Sequence, residues 1–464
     1  MSPRTKSIDL KNQGSVLIVS MIFIVVFSAL AVSMAAMSGN NIHLAENQHK
    51  ADCARACAES GFDVIRYWLN QVSISGTIEP SERCSQIAYA LQNELYAQGI
   101  TNITASYSSS EITIPNVTLD SETDSSFSAI ITPLDNDTLQ IDVTGYYDSM
   151  SYKIRGNYYF CVRGNTVFDF GVASKGPLSL TGSVDLESVN LAVEASVYIE
   201  SENSNLALSI IGNSQIAGDV KIVNPIATVD LQGGQAGIGG ETGQDAVDNH
   251  VEFGAPPTEF PEPVTSLFES YATNIVDSNT DTSSDATFEN IRIAANTNPV
   301  FSGQTTLKGI VFIETPNVVE FTGGADITGI IVGDGDMTDN TGTNQLNFLG
   351  NVESHPISEL PDESQFDGLQ EQTGTFAIAP GFNISFGGSF SALCGAIAGN
   401  GVEFFGNAGG VINGSVINYS GELMILSGNT DLYFNRSGIT EAPAGFIPEI
   451  ILRFETESYT EVTL

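Results

Sequence analysis

Residues 15–37, SVLIVSMIFIVVFSALAVSMAAM, contain no charged side chain and follow a short leader that ends in Gly14. As a helix this run spans roughly 34 Å, enough to cross a hydrocarbon layer about 30 Å thick. Arg4, Lys6 and Lys11 stand before it against Asp9 alone, so the positive-inside rule keeps the leader (1–14) in the cytoplasm. The run is longer than the core of a secretory signal, about 7–15 residues, which favours a membrane helix. Small residues in AVSMAA leave signal cleavage as the competing reading.

The helical pattern continues beyond the apolar run. Ala54, Cys57, Ala58, Gly61, Phe62, Ile65, Leu69 and Val72 recur at the spacing of one helical face, while Asp52, Arg55, Glu59 and Arg66 fall opposite. The sequence thus predicts one long helix from about 15 to 73, with Gly39 and Asn40-Asn41 as its softest point. A second helix is expected over 81–99, with Ile87, Leu91 and Leu95 on one stripe and Gly99 as its stop. From residue 100 the period changes to two, and 128–162 reads as three strands joined at DND and DSM. Residues 38–163 are therefore expected to form one α+β unit.

The remainder repeats itself. FSGQTTLKGIV (301–311) returns as FTGGADITGII (321–331), and looser copies begin at IIGNSQ (210–215), FLGNV (348–352), FFGNAGG (404–410) and LSGNTDLYF (426–434). A period near twenty residues, alternating Ile, Val and Phe with Gly and Gly-Asn corners, predicts a mainly β fold: an irregular right-handed parallel β-helix over 164–445. A jelly roll or twisted sandwich is the competing arrangement. Residues 240–290 look like an insertion, with four prolines in 256–263 and Val264, Leu267, Phe268 and Tyr271 at helical spacing. The tail 446–464 alternates and is expected to form an edge strand.

Charge narrows the function. There are 16 Lys+Arg against 55 Asp+Glu, a formal net charge of −39. Such a surface repels phosphate backbones, which excludes nucleic acid as a partner. Outside the cytoplasm Cys53, Cys57, Cys84 and Cys161 allow disulfides, with Cys53 or Cys57 joined to Cys84 or Cys161, whereas Cys394 is expected to be a buried thiol.

No catalytic signature stands out. His43, His49, His250 and His355 are scattered, and no zinc, nucleophile-elbow or Walker spacing occurs. A pectin-type lyase on a β-helix would need a base from among Lys175, Lys221, Arg292 and Lys308; the expectation is that the chain is not an enzyme. No cofactor is expected, with calcium as the one candidate. Asp277, Asn279, Asp281 and Asp285 approach the spacing of an EF-hand loop but lack its Gly and Glu, and Asp334, Asp336 and Asp339 share a second acidic loop.

The N-terminal region resembles type IV pilin-like proteins, specifically PilX-like minor pilins. The basic leader ending in Gly14 carries this, together with Ala45, Glu46, Asn47, Gln48, Asp52, Ala58, Glu59 and Gly61 in the helical continuation. The resemblance implies cleavage by prepilin peptidase after Gly14, methylation at Ser15, and packing against other pilin-like subunits. One departure matters: most major pilins carry Glu at the fifth mature position, and here Val19 stands there. The role given to that Glu is to neutralise a neighbouring amino terminus inside an apolar filament, where an unpaired charge costs several kcal/mol. A subunit without it belongs at a tip or at low abundance. The expected function is thus structural: a minor subunit of a type IV pilus or type II secretion-like assembly, held by one helix in membrane lipid of the bacterial inner membrane. The alternative is a surface adhesin that binds cell-surface polysaccharide and uses the helix only as an anchor.

Overall fold

The computed structural model describes residues 13–201, 204–339, 342–436 and 442–462, with side chains from Val16 onward. The chain divides into two compact units. The first comprises residues up to Ile74, Ile78–Cys161 and the C-terminal stretch from Ile451; the second is Val162–Ile450 with Ser75–Thr77.

The first unit is built on α1 (Gln13–Asn70), a single helix that runs through Gly39 without a break. A side chain at Gly39 would meet nothing within 4 Å, so this glycine makes no close approach. Past the Asn pair, i,i+4 partners support the next turns: Gln48 donates to Asp52 at 3.0 Å and Lys50 pairs with Glu46 at 3.1 Å. The second helix, α2 (Arg83–Ala97), buries Ile87, Leu91 and Leu95 and ends before Gly99, whose φ of +76° suits a helix stop.

Strand β1 (Ser73–Ser75) precedes α2, and five antiparallel strands follow it: β2 (Ser106–Ser108), β3 (Glu111–Asp120), β4 (Ser125–Pro133), β5 (Thr138–Tyr147) and β6 (Met150–Arg163). The meander is β2 to β6, and β5 and β6 are joined by the two residues between paired Tyr147 and Met150. The C-terminal strand (Glu449–Val462) does not sit at an edge as its alternation suggested. It lies between β1 and β6, and the order is β1, C-terminal strand, β6, β5, β4, β3, β2. Phe454 explains the position, because its ring packs against Phe62 and Tyr158 at 5.4 and 5.3 Å between centroids.

Helix α1 packs on β4 and β5, and it does so at backbone distance. A Cβ added at Gly145 on β5 would fall inside contact distance of the Ala58 amide and the Ala54 carbonyl. Ala54 and Ala58, both 0% exposed, are therefore the contact surface itself. Replacing Gly145 by valine is expected to wedge helix from sheet and cost about 1–3 kcal/mol, read as a lower denaturant midpoint for the first unit. An unchanged midpoint would show that the two elements are not this close.

One ion pair on the same sheet sets an acid limit. Asp142 and Arg155 are cross-strand partners, and the guanidinium donates to both carboxylate oxygens at 2.6 and 2.8 Å. Arg155, aided by Lys153 at 3.6 Å, holds the Asp142 carboxyl below its ordinary range against the opposing pull of burial. A carboxylate whose folded pKa is depressed contributes its full stabilisation above its unfolded pKa, about 3.9, and loses it as pH falls through the folded value. Asp142→Asn is thus expected to be less stable than the parent at neutral pH, with the gap closing in acid. A gap independent of pH would refute that.

The second unit is mainly parallel β. One sheet has 14 strands and the other 12. The sequence repeat is their register: Thr305–Ile313 pairs in parallel with Ala325–Gly333 residue for residue, Thr305 opposite Ala325, and Phe301 lies opposite Phe321. Inside the stack, Phe301, Phe321, Phe348, Phe386 and Phe404 form a column of nearly coplanar rings. Successive centroids are 4.8, 5.2, 4.8 and 4.9 Å apart and interplanar angles are 7–11°. Beside each of the first four rings stands a glycine two residues on: Gly303, Gly323, Gly350 and Gly388. A Cβ on any of the last three would run into the backbone carbonyl of the glycine below it. The F-x-G motif is thus one device: a ring filling the core, then a corner where backbones touch. At another corner Asn317 and Asn344, 0% and 3% exposed, pass hydrogen bonds between coils, with Asn298 N donating to Asn317 Oδ1 at 2.8 Å.

The chain does not climb this stack from end to end. It enters in the middle with Val172–Ser174 and Leu178–Ser188 and winds outward to Val251–Phe253 at one end. Residues 254–273 then cross to the far end, where Asn274–Val276 begins a return toward the start. The last coil closes on the first: Val416–Asn418 pairs with Val172–Ser174, and Met424–Phe434 pairs with Leu178–Ser188 in unbroken parallel register. The crossover carries the four prolines and packs across the outer face of the 12-stranded sheet. Phe260, Phe268 and Ala272 join Ile310, Phe312, Ile330, Val332 and Ile417 in a second core. The amphipathic helix expected here is a short 3-10 turn, Thr265–Tyr271, in which Phe268 is buried and Leu267 remains 47% exposed. A sheet covered on both faces explains the unbroken apolar runs GIVFI and TFAIA.

Candidate functional site

The feature with no partner in the molecule is the first part of α1. From Val16 through Leu44 the large apolar side chains stand out from the fold, with Phe27 at 64% and Val25 at 66% exposure. From Ala54 onward one face is sealed against the sheet. At 1.5 Å per residue the free stem from 16 to 48 is about 50 Å long, well beyond the hydrocarbon thickness of a bilayer. This is the one helix, among the described residues, long and apolar enough to cross a membrane. Its chemistry divides at Ser38. The uncharged half is apolar apart from Ser20, Ser28 and Ser33, and the Ser20 hydroxyl is spent on the carbonyls of Val16 and Leu17 at 2.9 and 3.0 Å. The following stretch, 38–48, is mostly polar, with Ile42 and Leu44 as exposed apolar exceptions.

Where stem meets sheet, charged groups tie the helix down. Lys50 reaches Asp148 on the β5–β6 turn at 2.8 Å, and the carboxylates of Asp148 and Glu46 raise its pKa. Arg55 pairs with Glu59 at 3.0 Å and with Glu461 of the C-terminal strand at 2.8 Å. The Lys50–Asp148 and Arg55–Glu461 pairs were not visible in the sequence, since both depend on strand placement.

Other predicted positions fall as follows. Gly14 and Ser15 lie in the opening turn of α1, and the leader up to residue 12 is outside the described residues. Val19 is half exposed on the stem. Cys57 and Cys84 are buried and Cys53 and Cys161 half-buried; no disulfide joins any of them among the described residues. Cys394, expected to be buried, is half-buried, and its thiol donates to the Ser354 carbonyl at 3.3 Å. The candidate bases are dispersed: Lys221 pairs with Glu252 at 3.5 Å, Arg292 lies between Glu269 and Glu314 at 2.7 and 2.6 Å, and the Lys175 ammonium sits over the Phe260 ring.

The acidic loops use their carboxylates on their own turns. Asp277 accepts from the Asn279 amide at 2.9 Å, which lowers its pKa, and hydroxyls of Ser284 and Ser283 hold Asp281 down to about 2. Asp285 accepts from the Gln304 amide at 2.8 Å on the next coil. In the second loop Asp334 accepts from the Gly335 amide at 2.8 Å, Asp339 from the Asp336 amide at 2.8 Å, and Asp336 from Thr338 at 2.7 Å. No group of three metal-binding side chains converges among the described residues. Asp-x-Asn and Asp-x-Ser spacings mark Asx turns as readily as cation loops, and here they make turns.

No protein-family model matches this chain, and no curated protein does. Among solved structures, the competence-associated pilin ComZ from Thermus thermophilus aligns over 89% of this chain and 97% of its own at 11% identity, with a TM-score of 0.22. So loose a superposition carries neither fold nor role across.

Proposed function

We propose that this chain is a structural, pilin-like minor subunit or membrane-anchored envelope protein whose apolar stem inserts in the inner membrane and displays the acidic β unit outside the cytoplasm. One observation carries the reading: α1 is continuous, bare of contacts along an apolar half of membrane-spanning length, and held to a sheet only from His49 and Lys50 onward. A helix so built cannot hide its hydrocarbon within its own fold; lipid or neighbouring helices must cover it. On this reading the second unit is a right-handed β-helix that acts as a rigid display body without enzymatic activity. Its closed pairing of first and last coils suits that work.

Processing belongs to the same proposal. Prepilin peptidase would cut after Gly14 and leave Ser15 as a methylated amino terminus. Val19 offers no carboxylate to a neighbour's terminus, which places the subunit at a tip or in small numbers. Mass spectrometry of the mature N-terminus tests this: N-methyl-Ser15 is the expected species. A chain that retains Met1 would overturn pilin-type processing while leaving the membrane stem intact.

A further inference from the structure

A groove of about 800 Å³ in the second unit lies on the outside of the glycine corner. It arises from a gap in a ladder. The residues that follow each corner line up by register: Asp285 beside Gln304, then Gly324, Asn351 and Ser389. All but one carry a short amide, carboxyl or hydroxyl group. Gly324 carries none, and the Gln304 side chain leans over the space that a Cβ at Gly324 would take. Neighbouring rungs of a parallel sheet are about 4.8 Å apart, so hydrogen-bonding groups repeat along the groove at close to the length of one hexose ring.

The lining selects among ligand classes. It contains one carboxylate, Glu353, and no lysine or arginine, so an anion finds no counter-charge. Glu353 lies opposite Asp326 in the ladder and 3.9 Å from His355, which also pairs with Asp326 at 3.2 Å, and no three metal-binding side chains converge among the described residues. At the gap itself the backbone is closed, because Ala325–Thr328 is paired on both sides and Val352 bridges onward to Phe390. What remains is a row of neutral donors and acceptors over a backbone floor. Ser389 Oγ donates to Asn351 Oδ1 at 3.0 Å, which orients the Asn351 amide nitrogen away from that bond. Neutral polar groups at a fixed repeat suit a chain of hydroxyl-rich rings.

We infer that this groove is a binding site for a neutral, linear β-1,4-linked glycan, held by Gln304, Asn351 and Ser389 across the gap at Gly324. The site lies wholly in the second unit and goes beyond the membrane reading, so either can fail alone. The test is calorimetry of the full chain in a zwitterionic detergent without sugar headgroups, titrated with cellotetraose and, separately, with tetragalacturonate. Saturable binding of cellotetraose is expected, weakened about tenfold in Asn351→Ala, the scale of one lost hydrogen bond of about 1.4 kcal/mol. Gly324→Gln completes the ladder with the chemistry of its neighbour, and is expected to abolish binding while leaving the melting temperature unchanged. Absence of saturable heat with cellotetraose would overturn the inference, as would binding that neither substitution alters or a preference for tetragalacturonate.

Discussion

Replacing Val25 and Val26 together by aspartate is expected to release the full-length chain from the membrane. The two residues lie near the middle of the uncharged run, both on a stem that touches nothing else in the fold. A carboxylate at the centre of a membrane helix costs about 2.5–3.5 kcal/mol on insertion scales, so two add to about 6 kcal/mol, a shift of roughly four orders of magnitude. The parent should resist alkaline carbonate extraction and the double variant should appear in the soluble fraction. Because the sheet grips α1 only from His49 and Lys50 onward, the melting of both units should be unchanged. Retention of the variant in the pellet would mean that something other than lipid covers the stem.

The second large effect is expected at the centre of the phenylalanine column. Phe348 is fully buried between Phe321 at 5.2 Å and Phe386 at 4.8 Å, and also touches Phe376. Phe348→Ala removes a ring from a stack whose backbones are fixed by the adjoining glycine corner, so the walls cannot close on the cavity. A cost of about 3–5 kcal/mol follows, read as a fall in the denaturant midpoint of the second unit. Leu423→Ala, at a side chain 50% exposed, should stay within about 0.5 kcal/mol. Equal effects at the two positions would show that the column contributes nothing special.

Local regularities were legible in the chain, and long-range closure was not. The helix could be read because its apolar face repeats within a few residues, and the F-x-G recurrence at 301 and 321 marked a coil because neighbouring rungs face the same environment. The middle entry of the chain into the stack escaped notice. Met424–Phe434 and Leu178–Ser188 do share L-[ST]-G-x-x-D-L in register, Gly182 opposite Gly428 and Asp185 opposite Asp431, but a shared pattern marks both as coils without showing that strands so far apart in the chain are neighbours. The C-terminal strand was misplaced at an edge for a similar reason: its alternation shows one buried face, whereas its neighbours depend on Phe454 meeting Phe62. Aspartates at cation-loop spacing look alike in sequence whether they bind a metal or cap a turn. As for the groove, Gly324 reads as one glycine among many until register places Gln304 and Asn351 on either side of it.

The most direct test of the account uses a cysteine placed on the β unit. Ile226, 72% exposed, can be replaced by cysteine and probed with a membrane-impermeant maleimide in intact spheroplasts. If the stem spans the inner membrane with the acidic mass beyond it, labelling above the parent chain will be as strong in intact spheroplasts as after lysis. Labelling that appears only after lysis would put the β unit in the cytoplasm and contradict the account.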